Sequence, residues 1–100
     1  LMAAAGVLVY TADGGAHVIE DGDAQTRATF TDVLVASAFD QYTATIFYAL
    51  DKERTVVVDG DSKQNPVLYF DARPQEHFKG YIGPKEYKTL KAIDPVLVNA

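Results

Sequence analysis

The 100-residue chain contains no cysteine. That removes disulfide frameworks, thiol nucleophiles and cysteine-ligated zinc from consideration. It permits an intracellular home without requiring one. Positive charge is also scarce: nine Lys and Arg stand against fourteen Asp and Glu, for a net charge of −5. A nucleic-acid binder needs a basic footprint to neutralise phosphates, so that class is set aside. The apolar start, LMAAAGVLV (1–9), is far shorter than a membrane span and itself carries no basic n-region; direct membrane insertion is not expected. A phosphate loop is missing too. ADGGAH (12–17) has two glycines but neither the spacing nor the lysine that such a loop needs.

What is present suits one small folded domain over residues 1–100. Apolar residues make up 48% of the chain, too many for disorder. A core this small leaves room for stabilisation by a partner. Charge is unevenly spread: residues 1–72 carry 11 acids and 4 bases, whereas residues 73–91 carry Arg73, Lys79, Lys85, Lys88 and Lys91 against Glu76 and Glu86. The ordinary reading of that basic stretch is a solvated helix face. Ala3-Ala4-Ala5 reads either as the last turn of a helix or as a signal-cleavage remnant.

One pattern is written twice. GVLVYT (6–11), the turn ADGG and the return AHVIE (16–20) make a hairpin signature ending in Asp21-Gly22-Asp23. At an offset of 38, ATIFYAL (44–50), the turn DKER and TVVV (55–58) end in Asp59-Gly60-Asp61. The spacing predicts the same hairpin-plus-exit unit used twice. Between the copies, ATFTDVLVASAFDQY (28–42) lacks strict alternation and carries Thr29, Thr31 and Asp32 as helix-start residues. It is expected to be a helix that is apolar over most of its circumference. TVVV and VLYF (67–70) read as strands covered on both faces. EHFKGYI (76–82) reads as an edge strand, and GPKEYKTLKAI (83–93) as a helix with Pro84 in its first turn and a Tyr87, Leu90, Ile93 stripe, stopped by Pro95. The expected fold is α+β: an antiparallel sheet of about five strands, order (α)ββαβββ(β)α, with helices on both faces.

Three stretches carry a family likeness. GVLVYTADGGAHVIEDGD, FTDVLVASAF and TATIFYALDKERTVVVDGDSKQNPVLYFDARP resemble the first hairpin, central helix and three-strand meander of the roadblock-type dynein light chains, within the profilin-like and longin-like group. The likeness covers residues 3–74, and the longer, more aromatic segment 75–100 departs from it. The resemblance implies a cytoplasmic, non-enzymatic scaffold or adaptor for motors or small GTPases. It would dimerise, with itself or a related chain, through the central helix and the following strand. The interface residues so implied are Val35, Phe39, Tyr42, Thr45 and Phe47. Phe78, Tyr81 and Tyr87 form a possible second binding patch, or cover a sheet face.

No residue pattern argues for catalysis, a cofactor or a metal. Asp59, Asp61 and Asn65 begin like a calcium loop, but Lys63 and Gln64 stand where a ligand and a glycine belong. His17 and His77 are the only histidines, and Ser37 and Ser62 sit on no nucleophile elbow. Two other readings remain open: a small-ligand sensor domain of similar shape, and an exported binding, inhibitor or virion protein.

Overall fold

The computed structural model describes residues 5–50, 54–70 and 77–99. Its first element is the expected hairpin. Strand β1 (Gly6–Thr11) pairs antiparallel with β2 (Gly15–Glu20). The turn closes because the Gly14 N–H donates to Thr11 Oγ1 at 3.2 Å and Gly15 takes a φ of 77°, which a side chain would resist. In β2, residues alternate between half-buried and exposed, as a one-sided edge strand should.

The central segment is not a helix. Residues 28–42 form β3 (Ala28–Phe30), a break at Thr31-Asp32, and β4 (Val33–Phe39). Asp32 sits at φ 54°, its carbonyl accepts from Ala12 N–H, and Val33 N–H donates to the Arg54 carbonyl. The polar pair that resembles a helix cap is therefore the corner that carries the chain from one sheet to the other. VLVASAF does not alternate because β4 lies between two layers, where both faces are apolar.

Strand β5 (Thr43–Tyr48) continues the large sheet, whose order is β2-β1-β4-β5-β8, with β8 at Lys79–Pro84. Strands β6 (Val56–Gly60) and β7 (Pro66–Phe70) join β3 in a second sheet ordered β3-β6-β7. All pairings are antiparallel. The second sequence copy is thus not a second hairpin: β5 and β6 belong to different sheets, and Asp51 of the proposed repeat lies outside the described residues. The two Asp-Gly-Asp segments nevertheless meet. Gly22 and Ala24 N–H groups donate to the Gln64 carbonyl at 3.1 and 2.9 Å, beside Asp59-Gly60-Asp61. Nor are TVVV and VLYF covered twice. Val56 and Val58 are buried, whereas Val67 and Tyr69 face outward from the small sheet.

Helix α1 (Tyr87–Ile93) is shorter than the sequence suggests, since Pro84 ends β8 instead of opening the helix. Asp94 caps its C-terminus and a 3-10 turn follows over Pro95–Asn99. The expected stripe is split: Leu90 is buried, Ile93 packs beside it, and Tyr87 is exposed. Two cores result. One face of the large sheet packs Leu8, Val35, Phe39 and Ile46 against Leu90 and Leu97. The other packs Val7, Val9 and Ala36 against Val56 and Val58 of the small sheet. The architecture is an antiparallel α+β domain with a five-stranded sheet. The described residues place α1 and the 3-10 turn on one face of that sheet and a second, three-stranded sheet on the other. The expected helices on both faces are corrected accordingly. Residues 1–4, where an N-terminal helix tail or signal remnant is expected, and 71–76 lie outside the described residues.

Candidate functional site

The polar and aromatic groups of the C-terminal half gather around β8. Thr43 of β5 pairs with Pro84, and the Lys85 N–H donates to the Tyr42 carbonyl at 2.7 Å, so the β4–β5 turn and the β8–α1 junction form one rim. Asp40 organises the turn. Its Oδ1 accepts from the Thr43 and Tyr42 N–H groups at 2.7 and 2.8 Å, and its Oδ2 from the Thr43 hydroxyl at 2.9 Å. The Thr43 and Tyr42 N–H groups hold this carboxyl below the usual carboxylate range, and the Lys85 charge adds a smaller pull the same way. Lys85 Nζ lies 4.5 Å from the Phe39 ring centroid and donates to the Asp40 carbonyl at 3.3 Å. Burial against that ring lowers the ammonium pKa and outweighs the opposing effect of Asp40.

Behind the rim, residues of β8 and α1 line a cleft of about 710 Å³, open to solvent. Lys79 and Lys88 reach it from strand and helix, Tyr48, Tyr81 and Ile93 form apolar wall, and among the described residues no carboxylate lines it. Tyr81 is fixed by donating its hydroxyl to the Pro84 carbonyl at 2.7 Å. Tyr87 projects to solvent from α1 and Tyr42, 74% exposed, from the rim, whereas Ile82, 83% exposed and paired with Thr45, points from the other face of the sheet. A second cleft, about 590 Å³, lies along β7 beside Arg27, Thr55, Val57 and Tyr69.

The expected interface residues do not share a surface. Val35 and Phe39 are buried under α1 in their own chain. Thr45 and Phe47 are half-buried on the opposite face of the sheet, Phe47 meeting Phe70 and Phe78 edge-to-face at 4.8 and 5.9 Å. Tyr42 alone of the five is well exposed. Phe78, Tyr81 and Tyr87 are likewise divided: Phe78 packs with the inter-sheet core, Tyr81 with the core under α1, and Tyr87 faces solvent beside Lys91. The carboxylates of the second Asp-Gly-Asp are spent on backbone: Asp59 Oδ1 accepts from Gly60 N–H, and Asp61 Oδ1 from Lys63 and Asn65 N–H. Among the described residues no group of three His, Asp or Glu side chains is placed to hold a metal. His17 packs its ring 5.0 Å from Phe30, His77 is exposed, and Ser37 is fully buried. The pair that the sequence reading missed is Lys79 and Lys88. Their signal is the basic stretch 73–91, whose strand and helix lysines come together only in three dimensions.

The fold is a two-sheet antiparallel module with a basic, aromatic C-terminal end. Its relatives supply more. The chain is 39% identical over 94 residues to the membrane protein insertase YidC of Campylobacter jejuni, a match covering 92% of this chain and 17% of that protein. It is 33% identical over 96 residues to the YidC insertase of Helicobacter pylori, and 30% identical over 95 residues to that of Wolinella succinogenes, each match covering 94% of this chain and 18% of the relative. The chain therefore spans less than a fifth of the length of the curated relatives it matches. No protein-family profile matches, and no solved structure matches.

These relatives overturn the roadblock resemblance. The likeness to a dimerising adaptor for motors or small GTPases rested on a central helix, and that helix is two strands joined by a corner. The expected homodimer or heterodimer loses its surface with it. A cytoplasmic scaffold with no membrane role is also corrected, because relatives matching nearly the whole chain are insertases of membrane proteins. Nothing in the comparisons favours the sensor, inhibitor or virion readings.

Proposed function

We propose that this chain is a non-catalytic, water-facing β-sandwich module of a membrane protein insertase. The observation that carries the reading is 39% identity, spread across 92% of the chain, to an insertase. Two features of the structure support the water-facing part. Among the described residues no helix is long and apolar enough to cross a membrane. Asp13, Glu20, Asp21, Asp40 and Asp61 are exposed, and a hydrocarbon layer would strip such carboxylates of hydration at high cost. The module acts by contact instead of by bond chemistry. In support, Ser37 is sealed in a core and His17 packs at a tilt against Phe30, so neither is poised to attack a substrate.

A graft tests the reading. In the Campylobacter jejuni insertase, the matching 94-residue stretch is replaced by this chain or by an unrelated β-sandwich, and both proteins are reconstituted into vesicles. Insertion of a labelled membrane protein should persist with this chain and fall with the unrelated domain. Equal insertion by both grafts, or loss with both, would sink the proposal.

A further inference from the structure

We propose that the cleft between β8 and α1 holds the head group of an anionic phospholipid. The cleft brings together Lys79 at the start of β8 and Lys88 in the first turn of α1, two cations from different elements with no carboxylate among the described lining residues. Neither ammonium has an ion pair among the described residues. Between them Tyr48, Tyr81, Ala92 and Ile93 line an apolar wall. A pair of flexible ammonium groups over such a wall matches an amphiphile with a phosphate at one end and a hydrocarbon stem at the other. Charge complementarity singles this end out. The described residues 77–99 carry Lys79, Lys85, Lys88 and Lys91 against Glu86 and Asp94, while the described residues 5–70 carry eight acids against Arg27, Arg54 and Lys63. The exposed Tyr87, next to Lys88 on α1, and Tyr42, on the neighbouring rim, are amphipathic side chains of the kind that settle at a headgroup boundary. Choosing a lipid over an acidic peptide rests on the insertase reading; the anionic specificity of the cleft does not.

The test is photolabelling. The protein is mixed with phosphatidylcholine vesicles doped with a diazirine-bearing phosphatidylglycerol, irradiated, and the adducts are mapped by mass spectrometry. Label is expected on β8 and α1 around the cleft. Changing Lys79→Gln and Lys88→Gln together should lower it by about fivefold per lysine. Lys79→Arg with Lys88→Arg should retain it, and Lys63→Gln, on a distant loop, should leave it unchanged. Excess inorganic phosphate should not compete. Equal labelling by a diazirine phosphatidylcholine, labelling unmoved by the double glutamine variant, or preferential capture of a diazirine-bearing acidic peptide would each overturn the proposal. Lipid labelling that persists where the graft fails to insert would refute the insertase reading and leave the cleft standing.

Discussion

Gly60 has no room for a side chain, because the carbonyl oxygen of Ala24 occupies the place where a β-carbon would stand. That contact locks the exit of β6 against the loop after β2, where Gly22 and Ala24 donate to Gln64. Gly60→Ala must push one backbone off the other, at a cost of about 1–3 kcal/mol. Gly80→Ala is the control, since its nearest neighbour would lie 3.7 Å away at ordinary contact distance. Urea denaturation of both variants measures the difference, and a Gly60→Ala protein as stable as the parent would show that the two loops separate freely.

Phe39 and Tyr42 should behave oppositely, although three residues apart. Phe39 is buried under Leu90 and Lys85, so Phe39→Ala is expected to cost about 3–5 kcal/mol. Tyr42→Ala, at an exposed turn, should stay within about 0.5 kcal/mol of the parent. Thermal unfolding reads both. A folded Phe39→Ala protein with altered self-association would place Phe39 in an interface despite its burial within its own chain.

Ser37 is fully buried on β4, and its hydroxyl finds no partner among the described residues. Ser37→Ala removes an unmade hydrogen bond while keeping the backbone pairing to Leu8 and Ile46. The variant should be as stable as the parent or gain about 1 kcal/mol. A clear loss of stability in chemical denaturation would mean that the hydroxyl is satisfied in solution.

Asp40 gives the turn a pH dependence of known sign. Its carboxyl is held below its usual range in the folded chain, so its contribution is present above the unfolded value and is lost as pH falls through the folded one. Comparing the parent with Asp40→Asn, the stability gap should be widest near neutrality and should close with acidification below about pH 4. A gap that is constant with pH would assign the turn to backbone geometry alone.

Much of the strand content was legible from residue pattern. GVLVYT, the ADGG turn and AHVIE read correctly because Gly, Asp and β-branched residues act over a few positions. VLVASAF was misread because its missing alternation has two causes, an all-round apolar helix or a strand between two layers, and nothing local separates them. The same ambiguity misplaced VLYF, whose Tyr69 is 57% exposed. The sheet switch after β5 leaves no short-range trace, so the repeat looked like two hairpins. At the candidate site, the lysines of 73–91 are visible as charge, but the convergence of Lys79 and Lys88 depends on α1 docking against the large sheet, which the long-range packing of Leu90 and Leu97 decides.

Leu8 and its cover are separated by more than eighty positions, since Leu90 and Leu97 close over the same face of the large sheet. On a ribosome that face stays bare until the very end of this stretch has emerged. The lysine-bearing tail segment is therefore also the latch of folding: cutting it away should leave an oily sheet surface open to aggregation instead of a smaller working domain.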